Sequence, residues 1–128
     1  MKLFIVYLGG SAPNANIELH DIQFVIGNKI EDTYQQLQNQ WFGNTKGLHL
    51  DSYKHLAGAD GYKIEIKEYP QELNQKLYFV NLGGYQKDKL SELHEFGLFV
   101  CSSKEEAKKK AMKSLLENAD QKHKDDLY

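Results

Sequence analysis

Residues 2–51 recur, without a gap, 74 positions later in the same chain. Lys-Leu-Phe-Ile-Val-Tyr-Leu-Gly-Gly at 2–10 falls on Lys-Leu-Tyr-Phe-Val-Asn-Leu-Gly-Gly at 76–84, Glu18-Leu19-His20-Asp21 on Glu92-Leu93-His94-Glu95, and His49-Leu50-Asp51 on His123-Lys124-Asp125. Thirteen of the 50 pairs are identical, where chance gives about three. A repeated unit buries its apolar face against its twin, so this feature bounds the architecture before any other. It predicts a first repeat at 1–54, a connecting strand and turn at 55–75, and a second repeat at 76–128. A chain of 128 residues is expected to hold both in one compact domain, 1–128, about a pseudo-twofold axis.

The local signals agree between the copies. Leu3–Leu8 and Leu77–Leu82 are nearly continuous apolar runs of strand length, as in a strand covered on both faces. Each ends in Gly-Gly, which reads as a turn or a close backbone approach. Ile22–Ile26 and Phe96–Val100 read as the next strands. Helices follow. Ser102 with Glu105, and Asn28 with Glu31, have the spacing of capping boxes. Ile30, Tyr34, Leu37 and Trp41 form one apolar stripe, and Ala107, Ala111, Met112 and Leu115 the other. Gly43 is placed to close the first helix in a left-handed cap. The Lys108–Lys110 run reads as a solvated face. Leu48–Tyr53 and Lys122–Tyr128 close the units, with Leu48 and Leu50 on one face and His49, Asp51 and Tyr53 on the other. Gly61–Tyr69, after a turn at 58–61, alternates as a strand with one wet face. The expected class is α+β: two ββαβ-type units, with two helices packed on mixed or antiparallel sheets.

Composition narrows the partners. All 16 basic residues are lysines, against 18 acids. Bidentate contacts to phosphate and guanine are arginine chemistry, so nucleic acid is not an expected partner. No run reaches the length of a membrane span. The opening Met-Lys-Leu-Phe-Ile-Val-Tyr-Leu is too short for a signal sequence and reads as a buried strand. One cysteine, Cys101, allows neither an internal disulfide nor a cysteine-based metal site and suits a reducing cytoplasm.

Polar positions that repeat are the candidates for chemistry. Glu18-x-His20-Asp21 and Glu92-x-His94-Glu95 put a carboxylate and an imidazole on one side of an extended backbone, with the next carboxylate opposite. A His beside a carboxylate serves as a general base, as a metal ligand, or as a locally hydrogen-bonded brace. His49-x-Asp51 and His123-x-Asp125 persist where neighbouring leucines become lysines. That retention fits a shared polar site or cross-strand hydrogen bonding equally. If the pseudo-twofold axis brings His20 near His94, or His49 near His123, four or more ligands converge, enough for a metal. Gly9-Gly10 and Gly83-Gly84 lack the further glycines and the following helix of phosphate-binding loops. Cys101 has a glycine, Gly27, at its twin position, which argues against a duplicated thiol mechanism.

Leu-Gly-Gly, Glu-Leu-His-Asp, the Trp-Phe-Gly after the first helix and Gly-Leu-His-Leu-Asp-Ser-Tyr together resemble a small bacterial family, the domain of unknown function numbered 1543, in its tandem two-copy form. The resemblance covers nearly the whole chain and is strongest in the first copy. It implies a duplicated fold, and a homodimer wherever the unit occurs singly; it brings no activity or substrate with it. With no assembled catalytic motif, the expected function is a small non-catalytic module that binds a protein or a small molecule, without a cofactor. The alternative is a metal-binding protein or metal-dependent enzyme using the Glu-x-His and His-x-Asp positions.

Overall fold

The computed structural model describes the backbone of residues 1–116 and 121–127 and the side chains of residues 1–116. Among the described residues the fold is α+β, with two α-helices and small antiparallel sheets. It divides into two compact units, one of Met1–Gly58 with Lys63–Pro70, the other of Ala59–Tyr62 with Gln71–Tyr128.

In the first unit, β1 (Lys2–Gly10) lies between β2 (Leu19–Gly27) and β3 (His49–His55), antiparallel to both. As the central strand β1 is paired along both edges; Phe4, Val6 and Leu8 on its even face are buried, and Leu3, Ile5 and Tyr7 on its odd face are half-buried. Phe4, Val6 and Leu8 point to one side and join Val25, Ile30, Leu37 and Trp41 in a buried cluster. The covering element is a 3₁₀ turn (Ile30–Thr33) running into α1 (Tyr34–Gln40). The second unit repeats the order. Its β6 (Lys76–Tyr85) lies between β7 (Leu93–Cys101) and β8 (Gln121–Leu127), antiparallel to each, with α2 (Lys104–Ser114) as the helix. Val80, Leu82, Phe99, Cys101, Ala107, Ala111 and Leu115 form its cluster. All described ladders between these strands are antiparallel, so the mixed-sheet alternative is not realised.

Several expectations shift by a residue or fail. The first helical segment starts from Lys29, whose backbone N–H donates to Asp32 at 3.3 Å, not from Asn28 and Glu31. In α2 the N-cap is Ser103, which accepts from the Glu106 N–H at 3.2 Å, while the Glu106 carboxylate bonds both the backbone N–H and the hydroxyl of Ser102. Tyr34 is exposed and Thr33 takes the inward position, because the 3₁₀ start turns the stripe by one residue. Gly43 is not left-handed; a Cβ there would meet the Ser11 carbonyl oxygen at 2.2 Å, so it serves close packing of two chain segments. That contact carries the bond from the Asn44 N–H to the Ser11 carbonyl, 2.8 Å.

After β3 along the chain, β4 (Gly58–Ala59) and β5 (Tyr62–Lys63) form a two-residue ladder. Asp60 and Gly61 connect them with positive φ at both positions, 52° and 81°, the geometry of a primed hairpin turn. The strand expected over 61–69 is confined to Tyr62–Lys63. Ile64 and Ile66 are half-buried and Lys63, Glu65 and Lys67 exposed, so the alternation survives without a ladder. Lys110 is not simply solvated. Its ammonium donates to the Val100 carbonyl at 2.9 Å and to Asp60 at 3.3 Å, and Asp60 also accepts from the Val100 N–H at 2.7 Å. No helix among the described residues is long and apolar enough to cross a membrane.

Gly43→Ala is expected to destabilise the chain by about 1–3 kcal/mol, since a backbone oxygen cannot swing away as a side chain can. A urea titration followed by Trp41 fluorescence measures it; an unchanged midpoint would show that the Ser11 segment yields freely.

Candidate functional site

Alternation along the sheet gives each of its faces a separate job. Even-numbered β1 residues through Gly10 face α1. The odd face carries Tyr7 and Gly9. Gly9 pairs with His20 on β2 and with His49 on β3, so both imidazoles flank a residue that has no side chain. The register on β3 slips between Tyr7 and Leu8: Leu8 pairs with Leu50, Tyr7 with Ser52, and Asp51 is the extra residue of a bulge. The bulge keeps Asp51 on the Gly9 face. It also turns Tyr53 to the opposite face, where its ring meets Phe4 edge-on at 6.0 Å, against the simple alternation expected for 48–53.

Four polar side chains meet there. Nε2 of His49 lies 2.9 Å from Oε1 of Glu18 and 3.2 Å from Oδ1 of Asp51. For His20, Nδ1 lies 3.2 Å from Oδ2 of Asp51 and Nε2 is 3.4 Å from Oε2 of Glu18. Each Nδ1 is also anchored to a backbone carbonyl, His20 to Leu8 at 3.2 Å and His49 to Gly47 at 3.0 Å. The Tyr7 ring stacks on His20 with centroids 5.1 Å apart and planes within 6°. The four side chains are a third to a half exposed, so the site is open to solvent. A Cβ on residue 9 would stand 2.7 Å from His49 Nε2, 3.0 Å from Asp51 Oδ2 and 3.0 Å from His20 Cε1. Beside it, between α1 and β3, lies a cleft of about 290 Å³ with His49 at its rim and Leu8, Leu37, Leu48 and Leu50 in its wall.

The imidazole of His49 is held above its ordinary protonation range. The Gly47 carbonyl is the largest cause; partial burial opposes it, and the Asp51 and Glu18 carboxylates reinforce it.

Two other candidates stand apart from this cluster. Asp21 pairs with Leu8 on the α1 side of the sheet and accepts from the Ile22 N–H at 2.9 Å and from the Gln23 amide at 2.5 Å. Its counterpart Glu95 accepts from the Leu116 N–H at 2.7 Å, just beyond α2. In the second unit the backbone repeats the arrangement. Gly83 pairs with His94 and with His123, and the register slips between Asn81 and Leu82 so that Asp125 is the extra residue. His94 Nε2 lies 3.2 Å from Glu92 Oε2. The side chains of His123 and Asp125 lie outside the described residues. Cys101 is buried in its core cluster, with Sγ 3.4 Å from the Ser103 carbonyl, and is not presented as a nucleophile. Trp41 is core, while Phe42 beside it is exposed. Sequence reasoning overlooked Tyr7, which strand alternation from Gly9 would have placed on this face.

These features define a class: antiparallel three-stranded sheets, each with a helix on one face and Glu-x-His and His-x-Asp positions around a central-strand glycine. The chain belongs to the family described as Domain of Unknown Function (DUF1543), whose model matches residues 15–66 and 89–128, two segments consistent with a tandem two-copy form. The crystal structure of a protein Il1583 from Idiomarina loihiensis is similar, at 42% identity over 98% of this chain and 78% of that one, with a TM-score of 0.74. No curated protein matches.

Because its folded-state pKa is raised, protonated His49 contributes stability that is fully present below the unfolded value of 6.5. That contribution is lost as pH rises through the folded value. The melting temperature is therefore expected to fall between about pH 6 and pH 8 by a component that His49→Gln removes. Parallel melting curves for wild type and variant test this; identical pH slopes would refute it.

Proposed function

We propose that this protein is a non-catalytic binding module, built by duplication of one ββαβ unit, whose ligand site is the quartet Glu18, His20, His49 and Asp51. One observation carries the reading. All four quartet positions are identical in the two repeats, whereas of the seven residues in the first buried cluster only Val6 and Leu8 are. Packing tolerates exchange of one apolar side chain for another. Binding a specific ligand depends on particular donor atoms and tolerates it far less. Retention of the polar set across a drifting core therefore supports a selected role beyond folding.

The matched registers of the two sheets support common descent of the units. The solvent-open setting supports binding of an external ligand. Catalysis is disfavoured by the pairing of each imidazole with acceptors on both ring nitrogens, which leaves neither directed at a nucleophile. A chain whose bases are all lysines favours a protein or small ligand over nucleic acid. The lone buried cysteine suits work in a reducing compartment.

A ligand site differs from a structural brace in its effect on stability, because groups kept for binding are seldom optimal for folding. At pH 9, well above the usual imidazole range, Glu18→Gln combined with Asp51→Asn removes the carboxylate charge that faces the two rings. The melting temperature is expected to hold or to rise by a few degrees, roughly the effect of 1 kcal/mol or less. A fall of more than about 5 °C would mean that the quartet braces the sheet, and the binding reading would be abandoned.

A further inference from the structure

Building on the quartet as a ligand site, we propose that the ligand is an extended segment of a partner protein, which pairs with the outer edge of β3 as a fourth strand of the first sheet. Its side chains alternate: an apolar one enters the cleft between α1 and β3, and a lysine or arginine next to it in sequence lies beside Glu18 and Asp51.

The edges of the two three-stranded sheets differ in how they are closed. β2 and β7 are equivalent edges. On β2 the Gln36 amide takes both outward backbone groups of Ile26, accepting from its N–H at 3.3 Å and donating to its carbonyl at 2.7 Å. Gln36 is matched in the repeat by Lys110, and an ammonium cannot accept a hydrogen bond. On β7 the Lys110 ammonium takes the Val100 carbonyl at 2.9 Å, while Asp60 accepts from the Val100 N–H at 2.7 Å. Two different chemistries close the same rung, as expected where an open edge would be a liability. β8, the other edge of the second sheet, holds in its sequence Lys122, Lys124, Asp125 and Asp126, and charge along an edge strand opposes pairing.

β3 has no such closure among the described residues. It is the other edge of the first sheet, and all of it except Leu50 is exposed. The Leu56 N–H donates to the Leu3 carbonyl at 2.8 Å. Hydrogen bonding alternates along an antiparallel pair, so Lys54 and Ser52 also face β1, and Tyr53 between them turns its N–H and carbonyl outward. An open row of such groups is a template for another chain.

Each face of an added strand meets a matching surface. On the α1 side Leu8, Leu37, Leu48 and Leu50 wall the cleft of about 290 Å³, an apolar setting for one side chain. On the opposite side stand His49 and Asp51, with Glu18 held 2.9 Å from His49; both carboxylates are a third to a half exposed. Cross-strand neighbours lie about 4.5–5.5 Å apart, within reach of a long basic side chain. Strand addition works in this way in general: backbone pairing supplies affinity and alternate side chains supply specificity.

The test pans a phage library of random peptides of about eight residues against the full chain, then measures a synthetic peptide of the enriched sequence by fluorescence anisotropy. An apolar residue next to a lysine or arginine is expected to enrich, with micromolar affinity. Methylating the peptide's backbone nitrogens on alternate residues probes the pairing without altering the protein. One alternate set is expected to lose at least about tenfold in affinity and the other less than about threefold. Glu18→Gln/Asp51→Asn is expected to weaken binding, and to have no effect once the basic residue is replaced by norleucine. Absence of enrichment, equal effects of the two methylated sets, or a double variant that binds the basic peptide undiminished would each overturn the proposal. So would a dimer in light scattering that Tyr53→Pro dissociates, which would assign the edge to a second copy; proline at that outward position spares the ladder to β1. Any of these with the alkaline melting result intact removes the strand partner and leaves the quartet as a site for another ligand.

Discussion

Two adjacent positions without side chains organise the first unit. Gly10 faces α1, where a Cβ would stand 2.8 Å from the Trp41 ring; Gly9 faces the other way, under the two imidazoles. One glycine admits the largest core side chain, and the next admits the polar quartet. Neither is a turn: both lie inside the β1 ladder, paired with residues of β2, and Gly9 with β3 as well. Glycine weakens a strand interior, so a pair of them there marks close approach from both faces. The indole is fixed in turn by its N–H to the Asn44 carbonyl at 3.0 Å, which locks the segment leading into β3. The position of β3, and hence of His49 and Asp51, rests on that chain of contacts.

The bulge in β3 does the rest. In a regular ladder, residues 49, 51 and 53 would share a face, and Tyr53 would stand beside the quartet. One extra residue opposite Tyr7 ends the polar face at Asp51 and sends Tyr53 toward Phe4. Bulges re-aim side chains in this way near functional positions. A second slip at the equivalent place, between Asn81 and Leu82, argues that the device belongs to the unit and is not a local accident.

Much of this was legible in the residues. The repeat gave element order and strand positions, because strand runs and helical stripes depend on local periodicity. Alternation separated Glu18 and His20 from Asp21, and the structure keeps that separation. What escaped was set by contacts between distant segments. The role of Gly43 depends on Ser11, thirty-two residues away in sequence. The bulge depends on the register of β1 against β3. The one-residue displacement of both helix starts reflects competition among neighbouring Ser, Asn, Asp and Glu side chains that spacing alone does not resolve. The 61–69 stretch alternates correctly yet lacks a ladder beyond Lys63, since a strand requires a partner as well as a pattern.

The two cores show why a repeated unit can drift in one property and hold another. Val25 is matched by Phe99, which adds bulk on β7; Thr33, Leu37 and Trp41 are matched by Ala107, Ala111 and Leu115, which remove it from the helix side. Each cluster stays buried while the sizes of its members change, because an apolar position accepts side chains of different volume where its neighbours shift to meet them. A donor atom aimed at a ligand has no such latitude. Because strand alternation puts packing on one face and the quartet on the other, the first kind of change proceeds without disturbing the second.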